Sequence, residues 1–254
     1  MSGDSVKRRL IGPWTALAAF LVLWVIMFAL GPSIRGALSS LVQPKTVKEI
    51  LAFRLATGLP LSWVGLAGTL LLLRLRGQTA RDVGWRKPVA IWGWLAALVV
   101  TAFYLWGSFR TPICRGLCFI DPTVWFSDWS VFRLATSICI GVTAGVCEET
   151  AFRGFVMTQA RDGRAPLVVQ ILLSGLLFGL AHLGIAGLSG TFIPAVAFSV
   201  VPPTAIFGII FATIYVLGGR SLTHVILAHG LFAFVTEPWM LLWGMEQTMR
   251  HVPA

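Results

Sequence analysis

The sequence predicts an all-α fold, a polytopic membrane bundle of seven or eight transmembrane helices. Of its 254 residues, 57% are hydrophobic and only 12% are charged, whereas an ordinary soluble domain is roughly 25% charged. Mean hydropathy is +0.83. The apolar runs are long and continuous, unlike the alternating ten-residue segments of a membrane β-barrel. Helices also satisfy their own backbone hydrogen bonds in lipid, which favours the same fold class.

Windows without charged residues mark the individual helices, because a spanning helix needs about 20 apolar residues. The fourth window is short by itself and reaches spanning length only if its helix continues through Glu148 and Glu149. Pro202 and Pro203 predict a kink or break in the sixth pass. The predicted passes lie in residues 10–34, 55–73, 88–109, 134–147, twice within 165–219, in 221–236 and, as an uncertain eighth, in 238–245.

The basic residues predict the orientation of the bundle. With a cytoplasmic N-terminus, one side of the membrane collects most of the Lys and Arg residues in short loops. These are Lys7, Arg8, Arg9, Arg74, Arg76, Arg81, Arg86, Lys87, Arg161, Arg164 and Arg220. We therefore interpret the net charge of +10 as a positive-inside pattern and not as a nucleic-acid surface. The prediction is a multi-pass protein of the cell membrane, in contact with the lipid bilayer.

Ionisable residues inside predicted spans point to a functional site, because each costs about 3 kcal/mol to place in a membrane. Glu149 and Arg153 are four residues apart, which predicts an ion pair on one helix face. Glu148 is then left without a local partner, as a general base requires. His182 and His229 lie on two other spans. Three helices therefore converge, in this interpretation, on one polar pocket.

Three motifs resemble those of the CPBP family, the CAAX-protease and bacteriocin-processing intramembrane proteases. Residues 148–153 match EExxxR, residues 178–182 match FxxxH, and residues 229–233 align with the third motif, HxxxN or HxxxD. The resemblance covers roughly residues 80–240. It divides the chain into N-terminal membrane helices that act as a scaffold, residues 1–80, and a protease core, residues 81–254.

The resemblance implies hydrolysis of peptide bonds in a membrane-associated peptide or protein, of the CAAX type or carrying a leader. Glu148 would activate water with help from His182, and Arg153 would hold Glu149. His229 and the residue four positions later would stabilise the oxyanion of the tetrahedral intermediate. No cofactor is required by this glutamate mechanism.

Ala233 departs from the family pattern, because its side chain cannot donate a hydrogen bond to an oxyanion. One lost donor of this kind typically slows a reaction about 100- to 1,000-fold. We expect position 233 to face the same cavity as His229. His224 and Thr236 are the two candidate substitutes on the same predicted helix, and the sequence does not choose between them.

Three alternatives to a glutamate protease stay open at this point. Glu148, His182 and His229 are one carboxylate and two imidazoles, a set that binds zinc in hydrolytic sites, although no HExxH spacing is present. A catalytically inactive relative would serve as a membrane scaffold or as an immunity or regulatory protein. A proton-coupled transporter would use the same buried groups as a relay, but the paired halves typical of transporters are not evident in the sequence.

Overall fold

The computed structural model describes residues 10–43, 46–88, 90–110, 130–183 and 194–250. Every regular element in these ranges is helical, so the predicted all-α class is confirmed. A 3₁₀ turn at Ala80–Val83 lies between the second and third helices. The helices are α1 (Pro13–Val42), α2 (Val47–Leu75), α3 (Ile91–Arg110), α4 (Val131–Asp162), α5 (Leu167–Ala181), α6 (Pro194–Leu217) and α7 (Leu222–Arg250).

Length and composition support a membrane-spanning bundle. In the described residues three helices are long and apolar enough to cross a membrane, namely α2 over Glu49–Leu75, the whole of α4, and α6 over Val200–Leu217. Shorter apolar stretches occupy α1, α3 and α5. The total of seven or eight passes stays a prediction beyond these three.

Two predicted interruptions of helices are absent from the described residues. The windows 221–236 and 238–245 lie in the single continuous helix α7, so they do not form two separate helices. Pro238 lies inside α7 and does not end it. Similarly, α6 continues through Pro202 and Pro203. Packing against neighbouring helices compensates for backbone bonds that proline removes in a membrane helix.

Glycines bring helix backbones into direct contact at two seams of the bundle. A Cβ atom built on Gly175 of α5 would lie 2.8 Å from the backbone nitrogen of Ile209 in α6. On α4, a Cβ on Gly145 would lie 2.6 Å from the carbonyl oxygen of Ile226 in α7. Small residues of this kind let membrane helices approach closely and gain van der Waals packing. The α4–α7 seam is important because both helices carry candidate site residues.

A network of polar contacts joins the basic loops at one end of the bundle. Arg76, which is almost completely buried, donates hydrogen bonds to Gln159 (Nε to Oε1, 2.9 Å) and to the carbonyl oxygen of Ile11 (2.9 Å). It also forms an ion pair with Asp162 at 3.2 Å. These contacts connect the start of α1, the end of α2 and the end of α4. The described segments around Arg76 and Arg161, which the sequence assigns to one membrane side, therefore lie together in space.

The loop that follows α2 fixes the ends of α6 and α7. The backbone N–H of Leu222 donates to the carbonyl oxygen of Gly84 at 2.8 Å, and the Tyr215 hydroxyl donates to the Val83 carbonyl at 3.2 Å. Gly84 has φ +103°, and a Cβ there would lie 2.6 Å from the Arg220 carbonyl oxygen. Only glycine adopts this conformation at so close an approach. The loop thus sets where α7 begins.

Candidate active site

Two π-helical turns of α4 flank the glutamates: Glu148 ends the first turn, and Glu149 lies between the first and the second. The π-helical geometry covers Ala144–Glu148 and Thr150–Val156, whereas the flanking parts of α4 are ordinary α-helix. π-Helical turns are rare and occur frequently at functional sites. The sequence pattern contains no signal for them. They change which side chains share a face of α4, because each hydrogen-bonded turn contains one more residue than in an α-helix.

Glu149 forms the centre of a buried group of three charged or titratable side chains. Its Oε1 atom lies 3.0 Å from Nη1 of Arg153, so the ion pair expected from the i, i+4 spacing is present. His229 of α7 approaches the same oxygen, with Nδ1 2.7 Å from Oε1. Glu149 and Arg153 are 0% exposed and His229 is 3% exposed. Since a carboxylate accepts, Nδ1 of His229 carries the proton in this hydrogen bond.

Arg153 has further partners in the helices around it. Its Nη2 donates to the carbonyl oxygen of Gly208 in α6 at 3.3 Å. The guanidinium carbon lies 4.4 Å from the ring centroid of Phe178 in α5 and 5.7 Å from that of Phe211 in α6. Cation–π contacts of this kind stabilise a desolvated cation. The sequence did not indicate either aromatic partner, because both lie on other helices.

Phe178 also contacts His182, the remaining predicted site residue. The ring of His182 lies 4.6 Å from that of Phe178, and the ring of His229 lies 5.8 Å from it in an edge-on contact. His182 is half-buried and follows the last residue of α5. Arg153, His182 and His229 therefore contact one phenylalanine, so the three helices α4, α5 and α7 meet around this ring.

The tautomer of His182 follows from its hydrogen bond. Its Nδ1 lies 2.8 Å from the carbonyl oxygen of Phe178. A carbonyl oxygen only accepts, so Nδ1 carries a proton. In the neutral imidazole Nε2 is then an acceptor. His182 is thus oriented by its own helix, and its second nitrogen is available for a substrate or water.

Glu148 differs from Glu149 in forming no ion pair with any described residue. The side chain is half-buried, and its Oε2 atom is buried without a hydrogen bond to any described residue. The second oxygen of Glu149, Oε2, is also buried and unpartnered. Buried polar atoms are normally hydrogen-bonded in proteins, often by water. Each of these two oxygens is therefore a candidate acceptor for a bound water.

Ala233, the position expected to face a cavity with His229, is packed against α4. It is 0% exposed and belongs to a buried apolar cluster with Ile140 and Ala144 of α4. The π-helical turns and the close approach of α4 to α7 place this position against the neighbouring helix instead. The departure from the family motif therefore coincides with tight packing, which leaves little space for a larger side chain.

Neither substitute candidate is placed to act as a donor. The Thr236 hydroxyl donates to the carbonyl oxygen of Phe232, in its own helix, at 2.9 Å. His224 is completely buried and contacts the Trp94 ring edge-on at 4.8 Å. Its Nδ1 lies 3.3 Å from the Ser221 carbonyl oxygen, at the start of α7. Both residues contribute to the packing of α7.

Glu237 is a further carboxyl group near the site that the sequence analysis did not consider. It follows Thr236 in α7 and is half-buried. Its carboxyl group is close enough to Glu148 and His229 for their charges to interact. The sequence contains one indication of it: Glu237 lies eight positions after His229, so the two residues lie on a similar face of one helix.

The zinc alternative does not fit the arrangement of side chains. In the described part of the chain, no three His, Cys, Asp or Glu side chains are grouped as ligands of one metal ion. The Nδ1 atom of His229 is occupied by its hydrogen bond to Glu149. We therefore derive no catalytic step through a metal.

Comparison with known proteins supports the motif assignment. Residues 129–235 match the family model described as type II CAAX prenyl endopeptidase, Rce1-like. This segment contains all three motifs and the charged group around Glu149. No curated protein and no solved structure matches the chain. The family that the motifs indicate, the CPBP or CAAX-type endopeptidases, is therefore confirmed over residues 129–235 of the chain.

Proposed function

We propose that this protein is an intramembrane endopeptidase in which Glu148 activates a water molecule to hydrolyse a peptide bond. The observation that carries the proposal is the contrast between the two adjacent glutamates. Glu149 is bound by two basic side chains, whereas the Glu148 carboxyl is unpartnered beside them. A general base needs a free acceptor oxygen within reach of the proton that it removes.

The charged group holds its members in place while Glu148 reacts. Arg153 and His229 share one oxygen of Glu149, and Arg153 also bonds to the backbone of α6. Protonating Glu149 would break two short contacts, so it is unsuited to be the base. We assign to Glu149 the role of a positioning residue that orients His229.

Charge balance favours a protonated His229 in the reacting state. Two carboxylates, Glu148 and Glu149, are then matched by the guanidinium of Arg153 and the imidazolium of His229. Matching of charges lowers the cost of burying all four groups. The Nε2–H of a protonated His229 is a donor for the oxygen of the scissile carbonyl.

The reaction follows from these roles. Glu148 takes a proton from water as the water oxygen bonds to the carbonyl carbon, and Nε2 of His182 accepts the second water hydrogen as a hydrogen bond. The electron pair of the C=O bond moves onto oxygen. When the C–N bond breaks, the leaving amine takes the proton from Glu148. Water is thus divided between the acid and amine products, and the residues return to their starting state.

The substrate class is part of the proposal. The family match supports a peptide of the CAAX type, and the motif resemblance adds a leader-bearing membrane peptide as the alternative. The basic loops gathered at one end of the bundle support a cytoplasmic N-terminus in the cell membrane. A prenylated C-terminal peptide and a leader-bearing membrane peptide are therefore the two substrates to compare.

The test is a cleavage assay with purified protein reconstituted in liposomes. The substrates are a fluorogenic prenylated CAAX peptide, its unprenylated counterpart and a leader-bearing membrane peptide. We expect cleavage of at least one, with its loss in Glu148→Gln at unchanged thermal stability. Glu149→Gln should instead lower both stability and activity. Activity in Glu148→Gln would refute the assignment of the base. No cleavage of any substrate would favour an inactive relative that acts as a scaffold or regulator.

A further inference from the structure

Trp85 connects the loop that follows α2 to the helix that carries both glutamates. Its indole Nε1–H donates a hydrogen bond to Oγ1 of Thr150 at 3.2 Å. Thr150 is 0% exposed, directly follows Glu149 and is the first residue of the second π-helical turn. The hydrogen bond from Trp85 therefore holds α4 one residue after Glu149.

The same loop contacts α4 a second time, one turn later. A Cβ atom built on Gly154 would lie 3.0 Å from the Val83 carbonyl oxygen. Thr150 follows Glu149 and Gly154 follows Arg153, so the loop contacts α4 directly after each member of the buried ion pair. The loop is itself held by its hydrogen bonds to the ends of α6 and α7. It is therefore a fixed support for this segment of α4.

The hydroxyl of Thr150 is bonded differently from those of threonines in the other helices. Five of these donate to the carbonyl oxygen four residues earlier at 2.7–2.9 Å, namely Thr57, Thr69, Thr204, Thr213 and Thr236. Thr150 forms no such bond within the described part of the chain, and its partner there is Trp85. Because π-helical turns are rare, contacts from outside the helix are needed to stabilise them. The indole of Trp85 provides one.

A second Trp–Thr hydrogen bond reaches α4 seven residues earlier. Nε1–H of Trp63, in α2, donates to Oγ1 of Thr143 at 3.1 Å. The two indole side chains are similarly exposed, Trp63 at 43% and Trp85 at 40%. Thr143, however, precedes both π-helical turns and ends the α-helical first part of α4. The two bonds have the same chemistry and differ in their distance along α4 from the glutamates.

We infer that Trp85 is a positioning residue for peptide cleavage, because its hydrogen bond to Thr150 fixes the rotation of α4 at the two glutamates. The inference rests on the proposed endopeptidase function. Trp85 takes no part in proton transfer and acts through Thr150 on the orientation of Glu148 and Glu149. A reacting group that is misplaced by about 1 Å can slow a reaction about 100-fold. A small rotation of this segment is therefore sufficient to slow the attack of water.

The test compares the two tryptophans in the liposome cleavage assay. Trp85→Phe removes the N–H donor and keeps an aromatic ring. We expect it to lower kcat about three- to tenfold at unchanged KM, the factor that corresponds to the net contribution of one hydrogen bond. Trp63→Phe is the matched control, because it removes the equivalent donor to Thr143. We expect it to keep the kcat of the unmodified protein.

A double-mutant cycle tests whether Trp85 acts through Thr150. Thr150→Val removes the acceptor at nearly the same side-chain volume, and it should lower kcat by about the same factor as Trp85→Phe. The double variant should be no slower than the slower single variant, because both substitutions remove one and the same bond. Additive losses would overturn the inference, since Trp85 would then act through another contact.

The remaining outcomes separate this inference from the proposed function. Cleavage by the unmodified protein that is lost in Glu148→Gln supports the endopeptidase, whatever the effect of Trp85→Phe. If Trp85→Phe then keeps the unmodified kcat, or if Trp63→Phe loses as much, only the inference is overturned. A higher KM at unchanged kcat in Trp85→Phe would also overturn it, because Trp85 would then bind substrate. Absence of cleavage by the unmodified protein would overturn both proposals.

Discussion

Replacing Arg153 by methionine removes a completely buried cation and keeps most of the side-chain volume. The aliphatic part can still pack against Phe178 and Phe211, so the variant isolates the effect of charge. Glu149 then retains only the hydrogen bond from His229 to one of its oxygens. Its other oxygen has no partner among the described residues even in the unmodified protein. The variant therefore leaves a nearly uncompensated carboxylate at 0% exposure.

The expected cost is large because a charge is left buried. Removing one partner of a buried ion pair typically destabilises a protein by about 3–5 kcal/mol. The lost cation–π contacts contribute about 0.5–2 kcal/mol within the same substitution. Replacing both partners by neutral residues is often nearly neutral. The double variant Arg153→Met with Glu149→Gln should therefore lose less unfolding free energy than the two single variants lose together. We expect the difference to be at least about 2 kcal/mol.

The measurement is a double-mutant cycle from reversible unfolding in mixed micelles, followed by circular dichroism. Arg161→Met is the matched control on the same helix, because Arg161 is 42% exposed and forms an ion pair with Asp162 at 3.2 Å. An exposed pair is worth at most about 1 kcal/mol. Additive effects of the Arg153 and Glu149 substitutions, within about 0.5 kcal/mol, would refute the reasoning.

Three further predictions concern packing and metal dependence. Ala233→Asn should lower stability by about 1–3 kcal/mol because position 233 is packed in a buried cluster; a faster cleavage rate at unchanged melting temperature would contradict this. Gly145→Ala should lower the free energy of unfolding, because the added Cβ would lie 2.6 Å from the Ile226 carbonyl oxygen. Gly65→Ala is the control, because a Cβ there has open space around it, and it should be neutral or stabilising by up to about 1 kcal/mol. Chelators should leave liposome cleavage intact, because Glu148, His182 and His229 are not grouped as metal ligands; loss of activity that added zinc restores would contradict it.

The class of fold and most of the charged site were predictable from the sequence. Long runs without charge predict membrane helices, because lipid excludes both ions and unpaired backbone groups. The spacing of Glu149 and Arg153 predicts a local pair, and the pair is present at 3.0 Å. These features depend only on residues that are near one another along the chain. The motifs likewise indicated the family, since each is a short local pattern.

Contacts between helices could not be predicted, because they depend on how the helices rotate and approach. The shared oxygen of Glu149, bound by Arg153 and by His229 eighty residues later, is one such contact. Ala233 is another, since the expected cavity-facing position is packed against α4. Glu237, which the sequence analysis did not consider, is a third, since its charge interacts with that of Glu148 on α4.

The sequence by itself predicted a helical membrane bundle whose motifs resemble those of the CPBP family. It also predicted the candidate site, namely Glu148, Glu149, Arg153, His182 and His229. The tertiary structure alone decided that His229 binds the same oxygen of Glu149 as Arg153 and that Ala233 packs against α4. The physical reason is that a local pattern indicates only which residues of one helix share a face. The direction in which that face points depends on the π-helical turns of α4 and on the glycine contacts between α4 and α7. That direction brings Glu149 to two basic partners and leaves Glu148 unpartnered beside them.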